Sequence, residues 1–301
     1  MFRSAHLRIA PRPGPTPCRG LTLVELLVVI AVVSVLAALL LPAAAKAKEK
    51  ARALQCLGNA RQMMTAWMLY SDDAGGYLPY NVGGAGTGRG VGARSRLNWA
   101  DGILDWELSP DNTNAHALVE GGIGPYVGRS AAVYQCPADR VVSSLQRGVG
   151  WTRRVRSYSM NAMMGNAGPA SVSGMNVNNP GYRQFLRSSH IPSPSRLFVL
   201  VDEHPDSIND GYFLNRADER EWIDLPASYH GRAASFSFAD GHAESHRWMV
   251  RSTLQPARPD GALLPFYLDP EELADWRWVV ERMSILEGGA DGGGYGHSYN
   301  Q

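Results

Sequence analysis

Residues 21–41 read LTLVELLVVIAVVSVLAALLL, and this stretch decides how the rest of the chain is read. Its 21 residues carry one charge, Glu25. At about 1.5 Å per residue a helix of this length spans roughly 30 Å, the thickness of a bilayer's hydrocarbon core. A buried helix of a water-soluble protein is rarely so long and so uniformly apolar, so the segment reads as a transmembrane helix. Before it, residues 1–20 hold Arg3, Arg8, Arg12 and Arg19, no acidic residue, and prolines at 11, 13, 15 and 17. Four prolines, each lacking an amide donor, exclude a helix there. After it comes Pro42, a candidate kink. Then Ala53, Leu57, Ala60, Met64 and Trp67 recur at helical spacing and predict an amphipathic extension over 42–74 that lies on a globular domain. Ser71-Asp72-Asp73-Ala74-Gly75-Gly76 ends it.

The whole-chain averages say less. The 301 residues include 29 basic and 28 acidic side chains, a net charge of +1, which gives no bulk electrostatic attraction for nucleic acid. With 45% hydrophobic and 19% charged residues the chain is not globally disordered. Three cysteines are too few for a disulfide scaffold, and their spacing is not that of a structural zinc site.

A carboxylate inside an apolar span costs several kcal/mol unless it is partnered, so Glu25 marks a function. An ordinary secretory signal cleaved at Ala43-Ala44-Ala45 fits poorly, because the apolar run is too long and contains Glu25. Lys46, Lys48, Lys50 and Arg52 follow the span as closely as the leader arginines precede it, so counting positive charges does not orient it. A basic leader, Gly20, then Leu21-Thr22-Leu23-Val24-Glu25 and a pure apolar helix resembles the type IV prepilin and pseudopilin signature, as in type II secretion system protein G. The resemblance implies cleavage after Gly20 by a prepilin peptidase, N-methylation of Leu21, and pairing of Glu25 with the terminal amine of a neighbouring subunit during assembly. Such a pair sets register, because a slipped neighbour would strand two charges in apolar surroundings. Phenylalanine is usual in the family where Leu21 stands here. The motif orients the span with its N-terminus in the cytoplasm, in the inner membrane, and the remainder outside. Cleavage removes the four leader arginines and Cys18, which leaves 25 basic against 28 acidic residues on 281.

From residue 75 the chain becomes glycine-rich and loop-rich. GGAGTGRGVG at 83–92 reads as a loop, since a phosphate cradle needs a preceding strand and a following helix. Trp99, Ile103 and Trp106 are predicted core. Residues 196–202, RLFVLVD, are apolar on both faces and predict a central strand. Residues 234–240 alternate, Asp240-Gly241 supplies a tight turn, and 242–248 alternate again, which predicts a β-hairpin. Asp269-Pro270 starts a helix running to about Leu286, with Asp269 as its capping side chain. The glycine-rich tail, 288–301, reads as disordered.

Several of these pieces resemble one group of pilin-like proteins that carries a histidine followed after nine residues by Asp-Gly. Here the signature is His230, GRAASFSFA, Asp240-Gly241. Similar pieces are Cys56 with Asn59 and Gln62, Cys136-Pro137-Ala138-Asp139, Arg156 to Asn161, and Asp202-Glu203-His204 leading to Gly211. The resemblance spans roughly residues 19–285. The globular domain of that group is of unassigned function, so topology and assembly class follow from it but no ligand does.

Three sets of side chains are candidates for chemistry. His242, Glu244 and His246 share one strand face, with His230 and Asp240 near the hairpin. That donor set suits zinc, but exposed strand faces routinely carry such residues, and His230 is expected to anchor the Asp240 turn. Asp202, Glu203, Asp206, Asn209 and Asp210 are oxygen-rich within nine residues and form a candidate calcium loop, although their spacing is not that of an EF-hand. Cys56 and Cys136 would both lie outside the cytoplasm. Either they form a disulfide, closing ~80 residues for ~4 kcal/mol, or they are two buried thiols. The eight Trp and twelve Tyr would also suit a glycan surface, but most are expected in the core.

The expected architecture is therefore α+β and pilin-like: leader 1–20, transmembrane helix 21–41, its extension 42–74 packed on an antiparallel sheet, and a globular domain 75–287. The expected function is a structural subunit of a type II pseudopilus or type IV pilus-like fibre, not an enzyme and without cofactor apart from the calcium candidate. Its partners would be prepilin peptidase, other pilins and an inner-membrane assembly platform, with no nucleic acid. The alternative is a membrane-tethered module binding polysaccharide or calcium outside the cytoplasm.

Overall fold

The computed structural model describes residues 20, 22–84, 97–168, 171–172, 175–259, 261 and 263–287. Leu21, the leader up to residue 19, most of the glycine-rich loop and the tail 288–301 lie outside the described residues. The chain divides into two compact units at Ala47–Lys48.

Helix α1 (Leu23–Asp73) begins in the first unit and ends in the second, with Pro42 inside it. In the first unit its apolar side chains are exposed on every side, from Leu23 at 79% to Leu41 at 70%. Its length and composition suffice to cross a membrane. The one hydroxyl among them, Ser34, turns back to the Ile30 carbonyl at 2.6 Å, so no donor is left facing hydrocarbon. In the second unit the helix buries Cys56, Asn59, Ala60, Met63, Met64, Ala66, Trp67 and Ser71. The predicted stripe is thus shifted: Ala53 and Leu57 are half-buried, and Cys56 and Met63 take the inner face. Gly76 closes the helix by donating to the Ser71 carbonyl at 2.7 Å, with Gly75 and Gly76 both at positive φ.

Short helices α2 (Ala115–Val119) and α3 (Ser144–Gly148) follow, the latter opened by a capping box between Ser143 and Gln146. Strand β1 (Tyr158–Asn161) enters the main sheet. β2 (Ser171–Val172), β3 (Met175–Asn176) and β4 (Asn179–Arg183) form a small sheet. Then come β5 (Phe198–Asp202), β6 (Tyr212–Phe213), β7 (Glu221–Trp222), β8 (Ala233–Phe238), β9 (Ala243–Arg247), β10 (Phe266–Tyr267) and α4 (Leu273–Val280).

The main sheet has the order β6-β1-β5-β8-β9. Within the run 196–202, Phe198–Asp202 is its central strand, buried throughout, while Arg196 is exposed, and 233–247 is the predicted hairpin. Three pairings are antiparallel and one, β1 with β6, is parallel, so the sheet is mixed rather than wholly antiparallel. The parallel edge arises because Asp210-Gly211 brings the chain back alongside β1: Met160 N–H donates to the Gly211 carbonyl at 2.8 Å. One face of the sheet packs on α1 through Tyr158, Met160, Val199 and Leu200, together with Trp99. The other carries Phe198, Phe213, Phe236, Trp248 and α4. Phe236 stands edge-on to Phe198 and Trp278 at 5.2 and 5.0 Å. Strand β8 is buried on both faces, so its serines point at the helix and not at water.

Two local expectations give way to tertiary contacts. Asp269 sits at the start of the last helical segment but makes no side-chain cap, and α4 stops at Val280. Beyond it the backbone pairs with the β4 region: Arg183 N–H donates to the Ile285 carbonyl and Glu287 N–H to Gly181, which a continued helix would forbid. Trp99 is fully buried, whereas Ile103 and Trp106 are half-buried, with Arg154 lying over the Trp106 ring at 4.0 Å.

Candidate functional site

The start of α1 is built by three residues. Thr22 donates its amide and its hydroxyl to Glu25 Oε2, both at 2.8 Å, and Glu25 N–H donates back to Thr22 Oγ1 at 3.2 Å. This reciprocal arrangement is a capping box, which satisfies orphan donors of the first turn. The Thr-x-x-Glu spacing signals it in the sequence, and reading Glu25 only as an assembly group overlooks it. Gly20 precedes the cap, and a Cβ there would meet nothing within 4 Å among the described residues.

A second constellation forms around Cys56. The structure brings Cys56 and Cys136 together as free thiols, with Asp202 and His230 beside them. Cys56 Sγ lies 2.7 Å from Tyr158 Oη, 3.3 Å from Asp202 Oδ2 and 3.4 Å from Ser235 Oγ. Cys136 Sγ lies 3.1 Å from His230 Nε2, which in turn lies 3.7 Å from Asp202 Oδ2. Each donor comes from a different element: Cys56 from α1, Cys136 from a turn closed by Asp139 N–H on its carbonyl, Asp202 from the end of β5. His230 is set by a turn in which Gly231 and Arg232 both take positive φ before β8 begins. The side chains of Asp202 and His230 are 0% and 1% exposed.

Burial governs the electrostatics of this cluster. It pushes the Asp202 carboxyl well above the usual carboxylate range, and the nearby Cys56 charge adds to that. It also pushes the Cys56 thiol up, but hydrogen bonds with Cys136 and His230 outweigh it and hold Cys56 well below its ordinary value. Cys136 moves the opposite way, raised by burial and by its hydrogen bond with Cys56. The Tyr158 hydroxyl is raised well above its ordinary value, by burial first.

His230 therefore does not anchor the Asp240 turn. It sits before β8 and Asp240-Gly241 after it, so the nine-residue spacing of the signature is the length of one strand with its flanks. At ~3.3 Å per strand residue the two ends are about 20 Å apart. Asp240 instead accepts from the His242 ring at 2.6 Å, and Gly241, at φ +95°, lies against Met68 of α1. His242 stacks on Phe238 at 4.3 Å and His246 on Trp278 at 3.7 Å. Both rings of the strand-face zinc reading are thus held by packing, and Glu244 is exposed.

The calcium candidate is dispersed. Asp202 belongs to the cysteine cluster. Asp206 accepts from Arg258 N–H at 2.7 Å and faces His204. Asn209 accepts from the Asp210 amide, while Asp210 accepts from Tyr212 and Gly84 amides. Glu203 is fully buried, and burial pushes it to about 8. Two buried cations accompany this acidic run: Arg154, which donates to the Pro205 carbonyl at 2.7 Å, and Arg156, 1% exposed, near Asp210 and Glu203, with burial lowering it to about 10.

An exposed apolar helix opened by Gly20, Thr22 and Glu25, followed by an α+β domain, defines a pilin-like protein with a prepilin-type anchor. Residues 16–41 match the prokaryotic N-terminal methylation motif, and residues 45–196 match the family described as protein of unknown function (DUF1559). The chain belongs to that family. No curated protein and no solved structure matches it. The motif makes the chain a substrate of prepilin peptidase, and the helix fits a single-pass membrane anchor. Of the buried cluster, Cys56 and Cys136 fall inside the matched span, and Asp202 and His230 follow it.

Proposed function

We propose that this protein is a structural subunit, not an enzyme, that assembles through α1 into a pseudopilus of the type II secretion kind or a type IV pilus-like fibre. Cleavage after Gly20 frees the amine of Leu21, which is then methylated. The N-terminus lies on the cytoplasmic side of the inner membrane and the domain outside it. Other pilins and an inner-membrane assembly platform are its partners.

The observation that carries this reading is Glu25, the one charge of residues 21–41, in a segment that matches the methylation motif. A carboxylate at that depth is stabilised by a cation, and the methylated amine of a neighbouring subunit supplies one. In the single chain Thr22 occupies the carboxylate instead. Assembly exchanges neutral donors on the carboxylate for a cation in a medium of low dielectric, where the hydrogen bond with both partners charged is the stronger.

Two experiments test it. Mass spectrometry of the mature chain should find methylated Leu21 at the N-terminus, and a start near Ala47 would refute prepilin-type processing. Glu25→Ala should leave cleavage intact while abolishing co-assembly with wild-type subunits. Normal co-assembly of the variant would remove the register role of Glu25.

A further inference from the structure

Four potential ligand atoms, from Cys56, Cys136, Asp202 and His230, all lie within 4.8 Å of one another. We propose that they are a structural zinc site, a closed four-coordinate centre that clamps α1 to the main sheet. The proposal rests on the folded domain alone and is independent of assembly through Glu25.

The donor set is the first argument. Two thiolates and an imidazole select zinc among the common divalent ions, and a carboxylate oxygen completes a set of four. The spacing is the second. With Zn–S near 2.3 Å and Zn–N or Zn–O near 2.0–2.1 Å, a tetrahedron has edges of roughly 3.3–3.8 Å. Three of the six separations, 3.3 Å from Cys56 Sγ to Asp202 Oδ2, 3.1 Å from Cys136 Sγ to His230 Nε2 and 3.7 Å from His230 Nε2 to Asp202 Oδ2, lie in or close to that range, and all six are within 4.8 Å.

The third argument is what the cluster lacks without an ion. Asp202 is fully buried, yet among the described residues its Oδ1 has no hydrogen-bond partner, and neither has His230 Nδ1. Within the cluster the basic side chain is His230, too far for a hydrogen bond to the carboxylate at 3.7 Å, and Oδ2 has the Cys56 thiol at 3.3 Å. A buried carboxylate left so poorly partnered costs several kcal/mol, and a divalent cation removes that cost. Two thiolates, a carboxylate and a neutral imidazole on Zn²⁺ carry a net charge of −1. The Ser235 hydroxyl donates to Cys56 Sγ at 3.4 Å, and the Tyr158 hydroxyl, 2.7 Å from the same sulfur, shares its proton between it and the Cys56 carbonyl at 2.9 Å, so both are placed to stabilise that charge. Binding releases the thiol protons, so it weakens in acid.

All four donors come from the protein and the site is shut off from solvent, which suits a structural rather than a catalytic centre. It also accounts for the histidine of the His-x9-Asp-Gly signature. That histidine fixes the entry of β8 beside α1, while Asp240-Gly241 makes the turn at the strand's other end.

A disulfide between Cys56 and Cys136 would use the same sulfurs, so the two outcomes exclude each other. Full-length protein in detergent, purified with reductant, should hold about one zinc per chain by elemental analysis, and its intact mass should show two free thiols. Stripped with chelator and titrated with Co²⁺ alone, it should develop thiolate-to-cobalt charge-transfer bands with an end point of one per chain. Cys56→Ser with Cys136→Ser should lose the metal. Tyr158→Phe, which keeps every ligand and the buried ring, should retain one zinc and bind it roughly 10–100-fold more weakly. Should the cysteine variant fail to fold, the wild-type stoichiometry and the Tyr158→Phe affinity still decide. A chain that arrives with the disulfide and takes up no Zn²⁺ after reduction overturns the proposal, as does a reduced chain that ignores Zn²⁺.

Discussion

Glu25 and Cys56 stand on the same helix, thirty-one positions apart, and their surroundings could hardly differ more. Glu25 projects from an exposed apolar segment, and its hydrogen bonds are with Thr22, three residues away. Cys56 is 0% exposed and meets Tyr158, Asp202 and Ser235, which lie 102, 146 and 179 residues further along the chain. Up to Leu41, α1 presents apolar surface outward and keeps its single charge capped. The stretch in the second unit turns its apolar face inward and carries a polar cluster into the core. A helix can therefore serve two solvents, provided each half hides what its own surroundings cannot satisfy.

The largest effect that would sharpen this contrast is on stability. Trp67 is 1% exposed in the core under α1, so Trp67→Ala should destabilise the domain by about 3–5 kcal/mol through lost burial and a residual cavity. Leu36, 54% exposed in the apolar half, should leave the domain's urea midpoint unchanged when replaced by alanine. Both are read from denaturant unfolding of the full chain in detergent. A comparable shift for Leu36→Ala would mean that the apolar half packs on the domain.

A smaller effect concerns pH, and it belongs to the buried half alone. Burial raises Glu203 from 4.5 to about 8, so the folded state holds its proton more tightly than the unfolded state does. A carboxyl raised in this way stabilises the fold fully below about 4.5, and that stability disappears as pH rises through 8. Asp224, raised well above the ordinary carboxylate value by burial, acts in the same direction. The melting temperature should therefore increase as pH falls from 9 to 7. Glu203→Gln, which keeps a hydrogen-bonding amide, should flatten part of that slope. An unchanged slope would assign the effect to the other carboxyls.

How much was legible in the sequence follows the same divide between near and distant partners. The apolar span, the cleavage glycine, the central strand 198–202 and the hairpin 233–247 are set by local pattern, by length or periodicity within a few residues. The end of α4 and the parallel edge β6 are set by backbone pairing with remote segments, which no local propensity encodes. Cys56, Cys136, Asp202 and His230 each stood out in the sequence, but in four separate pieces. The acidic residues around Asp202 looked like one site because they are adjacent in the chain. Strand alternation and a turn send Asp202, Asp206 and Asp210 to three different partners. Proximity in sequence misled there, and distance in sequence concealed the cluster that does converge.

The finest test falls on Thr22. Its hydroxyl and amide are the partners that hold Glu25 in the single chain. Thr22→Ala removes the hydroxyl and should cost the first turn about 1 kcal/mol, within the range for losing an N-cap. That loss is confined to the start of α1, so amide exchange should speed up at Glu25 and Leu26 while the domain's unfolding midpoint stays fixed. It also leaves the Glu25 carboxylate with one fewer competitor for a neighbour's terminal amine. Co-assembly with wild-type subunits should therefore be preserved or enhanced, in contrast to its loss in Glu25→Ala. If Thr22→Ala abolished assembly as well, the capping box itself, and not the freed carboxylate, would be what a neighbouring subunit recognises.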